Sequence, residues 1–225
     1  MHRAVFAEGF GSMLLATAVI GSGIMAQRLT GDGAVALLAN TLATVATLAV
    51  LIGVLAPISG AHFNPAVSLV SLLCGRLSLA AAAMYIAVQL LGCWLGATLA
   101  HAMFELPLLQ TARHARAGIG QLLSETVATV GLITAALSCA SSTQAAWRVP
   151  AWIGAAYWFT ASTSFANPAI TIARALSDTF AGIRPVDVPA FIAAQLLGAV
   201  AGLALTRWLF GSDTLRLRKA NAALE

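Results

Sequence analysis

Apolar residues run along this chain in long stretches separated by short polar ones, near residues 5–26, 34–56, 79–104, 119–141, 149–163 and 188–210. The runs show no residue-by-residue alternation, which sets aside the strands of a membrane barrel. A helix needs about 20 apolar residues to cross a hydrocarbon core about 30 Å thick, and in lipid it satisfies its own backbone groups. The pattern therefore predicts six membrane-spanning helices. Two pieces remain, 59–75 and 164–178, moderately apolar and too short to cross, each containing Asn-Pro-Ala. They read as re-entrant segments that enter the membrane and return.

Composition sharpens this picture. Of 225 residues, 60% are hydrophobic and 9% charged, where a soluble domain is about a quarter charged. A soluble protein is excluded, and six spans taking roughly 120 residues leave no room for a second domain. Residues 1–225 read as one transmembrane domain. The formal charge is +4, but the twelve Lys and Arg are scattered with no aromatic-interleaved basic stripe, so a nucleic-acid partner has no footprint. Seven of them (Arg3, Arg76, Arg148, Arg207, Arg216, Arg218, Lys219) lie at the termini or in loops on their side, against five on the other. That bias predicts a multi-pass protein of the cell membrane with both ends cytoplasmic. The N-terminal run mimics a secretory signal but is too long and contains Glu8, which makes it the first span. Cys74, Cys93 and Cys139 sit in apolar stretches and match no metal-ligand spacing, so they read as buried hydrophobes.

An internal repeat organises the chain. Glu, Asn-Pro-Ala and Gln-Leu-Leu-Gly occur in that order twice, as Glu8, Asn64 and Gln89 to Gly92, then as Glu125, Asn167 and Gln195 to Gly198. The two copies stand roughly 103 to 117 residues apart, giving repeats at about 5–105 and 119–210. Each holds three spans, and an odd number forces the second copy into the membrane upside down relative to the first. An inverted repeat places a solute path near the midplane between its halves.

Each Asn-Pro-Ala announces a helix start, since Asn is a favoured N-cap and Pro a favoured first residue. From Pro65 to Cys74, or Pro168 to Ser177, such a helix spans roughly 15 Å, and two placed end to end cover a bilayer core. Inversion brings their N-termini together at the centre, each with about half a positive elementary charge, which repels cations. If Asn64 and Asn167 cap their own helices through the side-chain oxygen, their amide groups face the lumen as donors. Such a site suits uncharged hydroxylic solutes. One Asn-Pro-Ala alone would read as an ordinary cap; two at matching places in an inverted repeat do not.

The run Ser-Gly-Ala-His-Phe-Asn-Pro-Ala at 59–66, the second Asn-Pro-Ala at 167–169, the paired glutamates and the paired Gln-Leu-Leu-Gly resemble the aquaporin and aquaglyceroporin family of major intrinsic proteins. The resemblance covers essentially the whole chain. It implies an all-α integral membrane fold of six transmembrane helices and two re-entrant half-helices. It also implies a pore lined at its centre by Asn64, Pro65, Ala66, Asn167, Pro168 and Ala169, with protons and ions excluded there as in aquaporin-type channels generally. The expected function is a passive channel for water or small uncharged solutes. The family commonly forms tetramers with a pore in each subunit, so a homotetramer in membrane lipid is the expected assembly. No cofactor or metal is expected.

At the outer constriction the chain departs from the family. The residue after the second Asn-Pro-Ala, usually an Arg, is Ile170. By the family's spacing, the second-span filter position falls on Thr44 and the loop position on Ser164, both small. The fifth-span position lies among Tyr157, Trp158, Phe159 and Thr160, of which Phe159 and Thr160 are the filter candidates. A small, Arg-free filter resembles that of solute-passing bacterial members, including routes for neutral metalloid hydroxides such as arsenite; glycerol-like polyols and urea belong to the same class. Arg174, one turn deeper along the same helix face, either replaces part of the missing charge or caps helix carbonyls.

Other polar groups read as support. Glu8 and Glu125 are ionisable groups within spans, costly unless they face protein or water, and are expected to accept bonds from exposed backbone of the re-entrant loops. Gln89 and Gln195 are expected to act alongside them, and His62 to line the pore mouth or bond loop backbone. Gly92 with Gly96, and Gly198 with Gly202, form GxxxG pairs that permit close helix crossing. The rival function is a coupled secondary transporter using the glutamates as proton sites, for which no further deep carboxylate completes a relay. An enzyme finds no support, because HExxH, GxSxG and metal-ligand clusters are all missing from the sequence.

Overall fold

A computed structural model describes residues 1–211, so Arg216, Arg218 and Lys219 of the charge count lie outside the described residues. The described chain is helical: α1 (His2–Leu29), α2 (Gly33–Ser59), α3 (Pro65–Leu73), α4 (Leu79–Met103), α5 (Ile119–Ser138), α6 (Ser142–Phe159), α7 (Pro168–Arg174) and α8 (Val188–Phe210), with a 3-10 turn at Pro185–Asp187 before the last. Among the described residues, α1, α2, α4, α5 and α8 are long and apolar enough to cross a membrane.

Capping chemistry sets the boundaries. The Asp32 carboxylate accepts from the amides of Ala34 and Val35, Ser78 accepts from Ala81, and Ser141 accepts from Gln144. The Ser141 cap corrects one expectation. The fifth long helix starts at Ser142, seven residues before the apolar run at 149–163, because a hydroxyl cap outweighs the polarity of Gln144 and Arg148. It ends at Phe159, where Thr160 turns extended to begin the second re-entrant loop. This 18-residue helix also carries Pro150 and falls short of the apolarity of the other five.

The second half-helix is shorter than expected. α7 has seven residues, roughly 10 Å, and stops at Arg174. Beyond it Ala175, Leu176 and Ser177 donate to carbonyls three residues back, and Ile183 folds over to donate to the Arg174 carbonyl. The tighter bonds consume the carbonyls that another α-helical turn would use.

The helices pair identically in the two halves. α1 packs on α4 and α2, α5 packs on α8 and α6, and contact between α2 and α6 joins the halves. The GxxxG pairs explain the tightest crossings. A Cβ on Gly92 would lie 2.2 Å from the Gly9 carbonyl oxygen, and one on Gly96 would lie 2.3 Å from that of Met13. In the other half, a Cβ on Gly198 would lie 2.6 Å from the Thr126 carbonyl oxygen and one on Gly202 2.8 Å from that of Val130. Both pairs are thus spent inside the protomer and offer nothing to assembly. Outward faces keep large apolar side chains exposed, including Leu42, Val50, Leu197 and Trp208, as a lipid-facing surface requires.

Gly96→Val forces α1 away from α4 and should cost about 1–3 kcal/mol or more. Thermal unfolding in detergent should drop by several degrees, while Gly120→Ala, which meets nothing within 4 Å, should leave it unchanged. Equal melting of both variants would show that the crossing is not close.

Candidate functional site

The two re-entrant loops carry backbone that lipid would not tolerate. Ala61 and Phe63 in the first have φ of 50° and 49°, and Ser164 and Ala166 in the second have 48° and 47°. These left-handed positions are unfavourable for residues with a Cβ, at about 1–2 kcal/mol each. They persist because two buried carboxylates bind the amides they expose.

Glu8, with no exposed surface, accepts four hydrogen bonds. Oε1 takes the Ser59 hydroxyl at 2.7 Å and the His62 amide at 2.9 Å, and Oε2 takes the Phe63 amide at 2.7 Å and Gln89 Nε2 at 2.8 Å. Glu125 repeats the pattern. Oε1 takes the Ser162 hydroxyl at 2.5 Å and the Phe165 amide at 2.8 Å, and Oε2 takes the Ala166 amide at 2.8 Å and Gln195 Nε2 at 2.6 Å. Each glutamine also donates to a half-helix hydroxyl, Gln89 to Ser68 and Gln195 to Thr171. Ser59, Ser162, Ser68 and Thr171 were not singled out from the sequence. Extending the repeat register would have found them, since each pair is spaced like Asn64 and Asn167.

At the centre, Asn64 Oδ1 accepts from the Ala66 amide at 2.8 Å, and Asn167 Oδ1 from those of Ala169 at 3.0 Å and Ile170 at 3.3 Å. Pro65 and Pro168 open the two half-helices. The amide groups do more than the sequence reading assigned them. Asn64 Nδ2 donates to the Ala166 carbonyl at 2.7 Å and Asn167 Nδ2 to the Phe63 carbonyl at 2.8 Å. One hydrogen of each amide therefore ties the opposing loop in place, and the other remains for the lumen. These bonds also fix the geometry: α3 and α7 start beside each other and run apart.

A cavity of about 170 Å³ runs past both asparagines, far larger than the roughly 10–15 Å³ that one water needs. His62, Asn64, Asn167, Thr44, Ser164, Ile170 and Arg174 all line it. Pro65, Ala66, Pro168 and Ala169, expected on the pore, do not line this cavity, and Ala66 and Ala169 are buried. Glu8, Glu125, Gln89 and Gln195 stand away from the lining, and no carboxylate lines the cavity among the described residues. His62 is held by two hydroxyls, with Nδ1 3.1 Å from Ser68 Oγ and Nε2 3.2 Å from Ser71 Oγ, and its ring meets Tyr85 edge-on.

Two filter candidates are corrected. Phe159 points away from the cavity, 54% exposed and packed on Trp152. Thr160 is buried with its hydroxyl donated back to the Ala156 carbonyl, and it does not line the cavity. The fifth long helix instead presents Tyr157, whose hydroxyl reaches Thr44 Oγ1 at 3.5 Å. The helix ends two residues beyond Tyr157, which sets the face, and that endpoint was not visible in the hydropathy.

Arg174 caps no helix carbonyl. Nε donates to the Ala181 carbonyl in the loop after α7, and the guanidinium lies over the Phe165 ring, 3.4 Å from its centroid. A second guanidinium that the sequence reading missed, Arg116, lies 4.9 Å from the same centroid. It comes from the loop joining the halves and donates to the Gly182 and Ser162 carbonyls, while its amide donates to Asp187. Burial lowers Arg116 to about 10, so it remains a cation at neutral pH. His114 on the same loop is held below its ordinary value by burial and then by Arg116 and Arg174. Two guanidiniums, Arg116 and Arg174, thus flank Phe165 in the second half although residue 170 is not an Arg.

The chain matches the family described as Major intrinsic protein over residues 1–165 and 141–224. It is 54% identical over 211 residues to Aquaglyceroporin AqpS of Rhizobium meliloti (strain 1021), covering 93% of this chain and 91% of that protein. It is 39% identical over 144 residues to Aquaporin TIP4-4 of Zea mays, covering 59% of this chain and 55% of that one. Among solved structures, the aquaglyceroporin from Plasmodium falciparum superposes with a TM-score of 0.64 at 18% identity, covering 97% of this chain and 99% of that one, a likeness of fold.

Glu8→Gln and Glu125→Gln each turn one acceptor oxygen into a donor facing donors, and each buried group left unpaired costs about 1–3 kcal/mol. Both variants should melt lower and lose most water permeability per reconstituted molecule in stopped-flow light scattering, with the exposed Glu105→Gln as control. Full permeability in either would show that the loops hold without the carboxylates.

Proposed function

This chain belongs to the major intrinsic protein family, and from that membership and the make-up of its cavity we propose that it passes uncharged solutes larger than water. As a member of the family it is a membrane channel for water and small solutes and not an enzyme. The proposed solutes are glycerol-like polyols, urea and neutral metalloid hydroxides such as arsenite, entering as well as water.

The observation that carries this reading is the lining of the outer mouth. Thr44, Ser164 and Ile170 line the cavity, and by the family's spacing Thr44 takes the position of a bulky aromatic in water channels and Ile170 that of an arginine. Small side chains widen the passage, and the hydroxyls of Thr44, Ser164 and Tyr157 offer partners to a polyol's oxygens. The strong likeness to a protein named an aquaglyceroporin supports the same class. Protons and ions are excluded at the centre, where α3 and α7 start at Asn64 and Asn167, both on the cavity, with their positive helix ends.

The proposed setting is the cell membrane, with both termini cytoplasmic, in a homotetramer with one pore per protomer. No observation favours a coupled transporter, since Glu8 and Glu125 stand off the cavity with their oxygens engaged.

Proteoliposomes shrunk osmotically with sucrose, glycerol, urea or a neutral metalloid separate water flux from solute re-entry. Wild-type protein should show rapid re-entry of glycerol and urea but not of sucrose, and Ile170→Arg should lose the larger solutes first while keeping water. Passage of water alone by the wild type would overturn the reading.

A further inference from the structure

The strongest unexplained group in the molecule is Arg174. Its residue is 2% exposed, and its Nη1 is buried without a hydrogen-bond partner. Ser164, whose Oγ is also buried without a partner, lines the same cavity. Asp178 pairs with Arg113 and Asp187 with Arg184, and the repeat carboxylate Glu125 is saturated by Ser162, Phe165, Ala166 and Gln195. A buried guanidinium with an unmade bond is costly, and Arg174 is one of the residues that line the channel cavity.

The arrangement holds the guanidinium firmly. Nε is tied to the Ala181 carbonyl, the plane rests on Phe165, and Arg116 braces the other side of this loop cluster through Gly182 and Ser162. Stacking and one backbone bond fix the orientation of a planar fork, which a lysine could not reproduce. Arg174 also lies one helical turn beyond Ile170, on the same face of α7 and on the same cavity wall. Because α7 begins at Asn167, where the two loops meet, and runs away from the centre, that turn is nearer the mouth and not deeper, as its position in the sequence suggested.

We propose that Arg174, with Ser164, is the specificity-determining donor pair of this pore, supplying from one turn further out the positive charge absent at Ile170 and bonding the hydroxyl oxygens of solutes in transit. This rests on the reading of the channel as a polyol-class pore. It separates two properties that a filter arginine normally combines. Ile170 leaves the narrowest ring wide enough for a polyol, while Arg174 keeps a cation-repelling charge on the path and a donor ready at the entrance.

The test is three variants in proteoliposomes, read by glycerol re-entry relative to water flux and by sodium leak measured with an entrapped indicator. Arg174→Leu should raise sodium leak about tenfold or more, as loss of a buried charge on the path predicts, and lower the glycerol-to-water ratio several-fold. Arg174→Lys should keep leak low yet lower the ratio, since the charge survives and the oriented fork does not. The double variant Ile170→Arg with Arg174→Leu should restore low leak while losing glycerol. Wild-type leak and ratio in reconstituted Arg174→Leu would overturn the assignment; if that variant does not fold, a wild-type ratio in Arg174→Lys does so. A wild type that carries no glycerol at all would instead remove the polyol-class reading beneath it.

Discussion

Two buried carboxylates carry the structure. A bilayer allows non-helical backbone only where protein satisfies it, and a pore centred on two re-entrant loops places such backbone at the deepest level of the membrane. Glu8 and Glu125 resolve that conflict by accepting four bonds each, two of them from loop amides that no helix could satisfy. The left-handed residues at 61, 63, 164 and 166 follow, because those φ angles aim successive amides at one carboxylate. The glutamines lock each carboxylate to α3 or α7 through Ser68 and Thr171. The GxxxG crossings belong to the same constraint, since they bring α1 against α4 and α5 against α8, the helices that carry each glutamate and its glutamine.

With the loops fixed, the asparagines can serve two ends. The oxygen caps a half-helix, one amide hydrogen ties the opposing loop, and the remaining hydrogen faces the cavity. The centre of the cavity is thus built from parts that also hold the halves together, whereas the end lined by Thr44 and Ile170 is less constrained. There Thr44, Tyr157, Ser164 and Ile170 come from four separate segments, and their sizes can vary without touching the carboxylate bonds. The absence of Arg at 170 is tolerated structurally because Arg116 and Arg174 hold the loop around Phe165 from elsewhere.

Much of this was legible in the sequence because it is written twice. The paired Glu, Asn-Pro-Ala and Gln-Leu-Leu-Gly gave the inversion, the half-helices and the loop-supporting role of the glutamates, each from local chemistry that an inverted copy repeats. What escaped was non-repeated or non-local. The start of α6 depends on a single hydroxyl cap at Ser141, and its end on a loop drawn toward Glu125; hydropathy shows neither, so Tyr157 could not be separated from Phe159 and Thr160. The early stop of α7 comes from Ile183 folding back onto Arg174. The bond from each asparagine to the opposite loop joins residues more than a hundred positions apart, and Arg116 reaches Phe165 from the connection between the halves, which has no repeat partner.

A lumen held open by fixed bonds needs no moving part, and that is the claim most open to direct measurement. Glycerol flux through the wild-type protein in proteoliposomes, recorded over a range of concentrations and temperatures with and without a proton gradient, should rise linearly with concentration, ignore the gradient and show an activation energy close to that of diffusion in water. Flux that saturates at modest concentration, follows the proton gradient or carries a high activation energy would contradict a preformed pore held by Glu8 and Glu125.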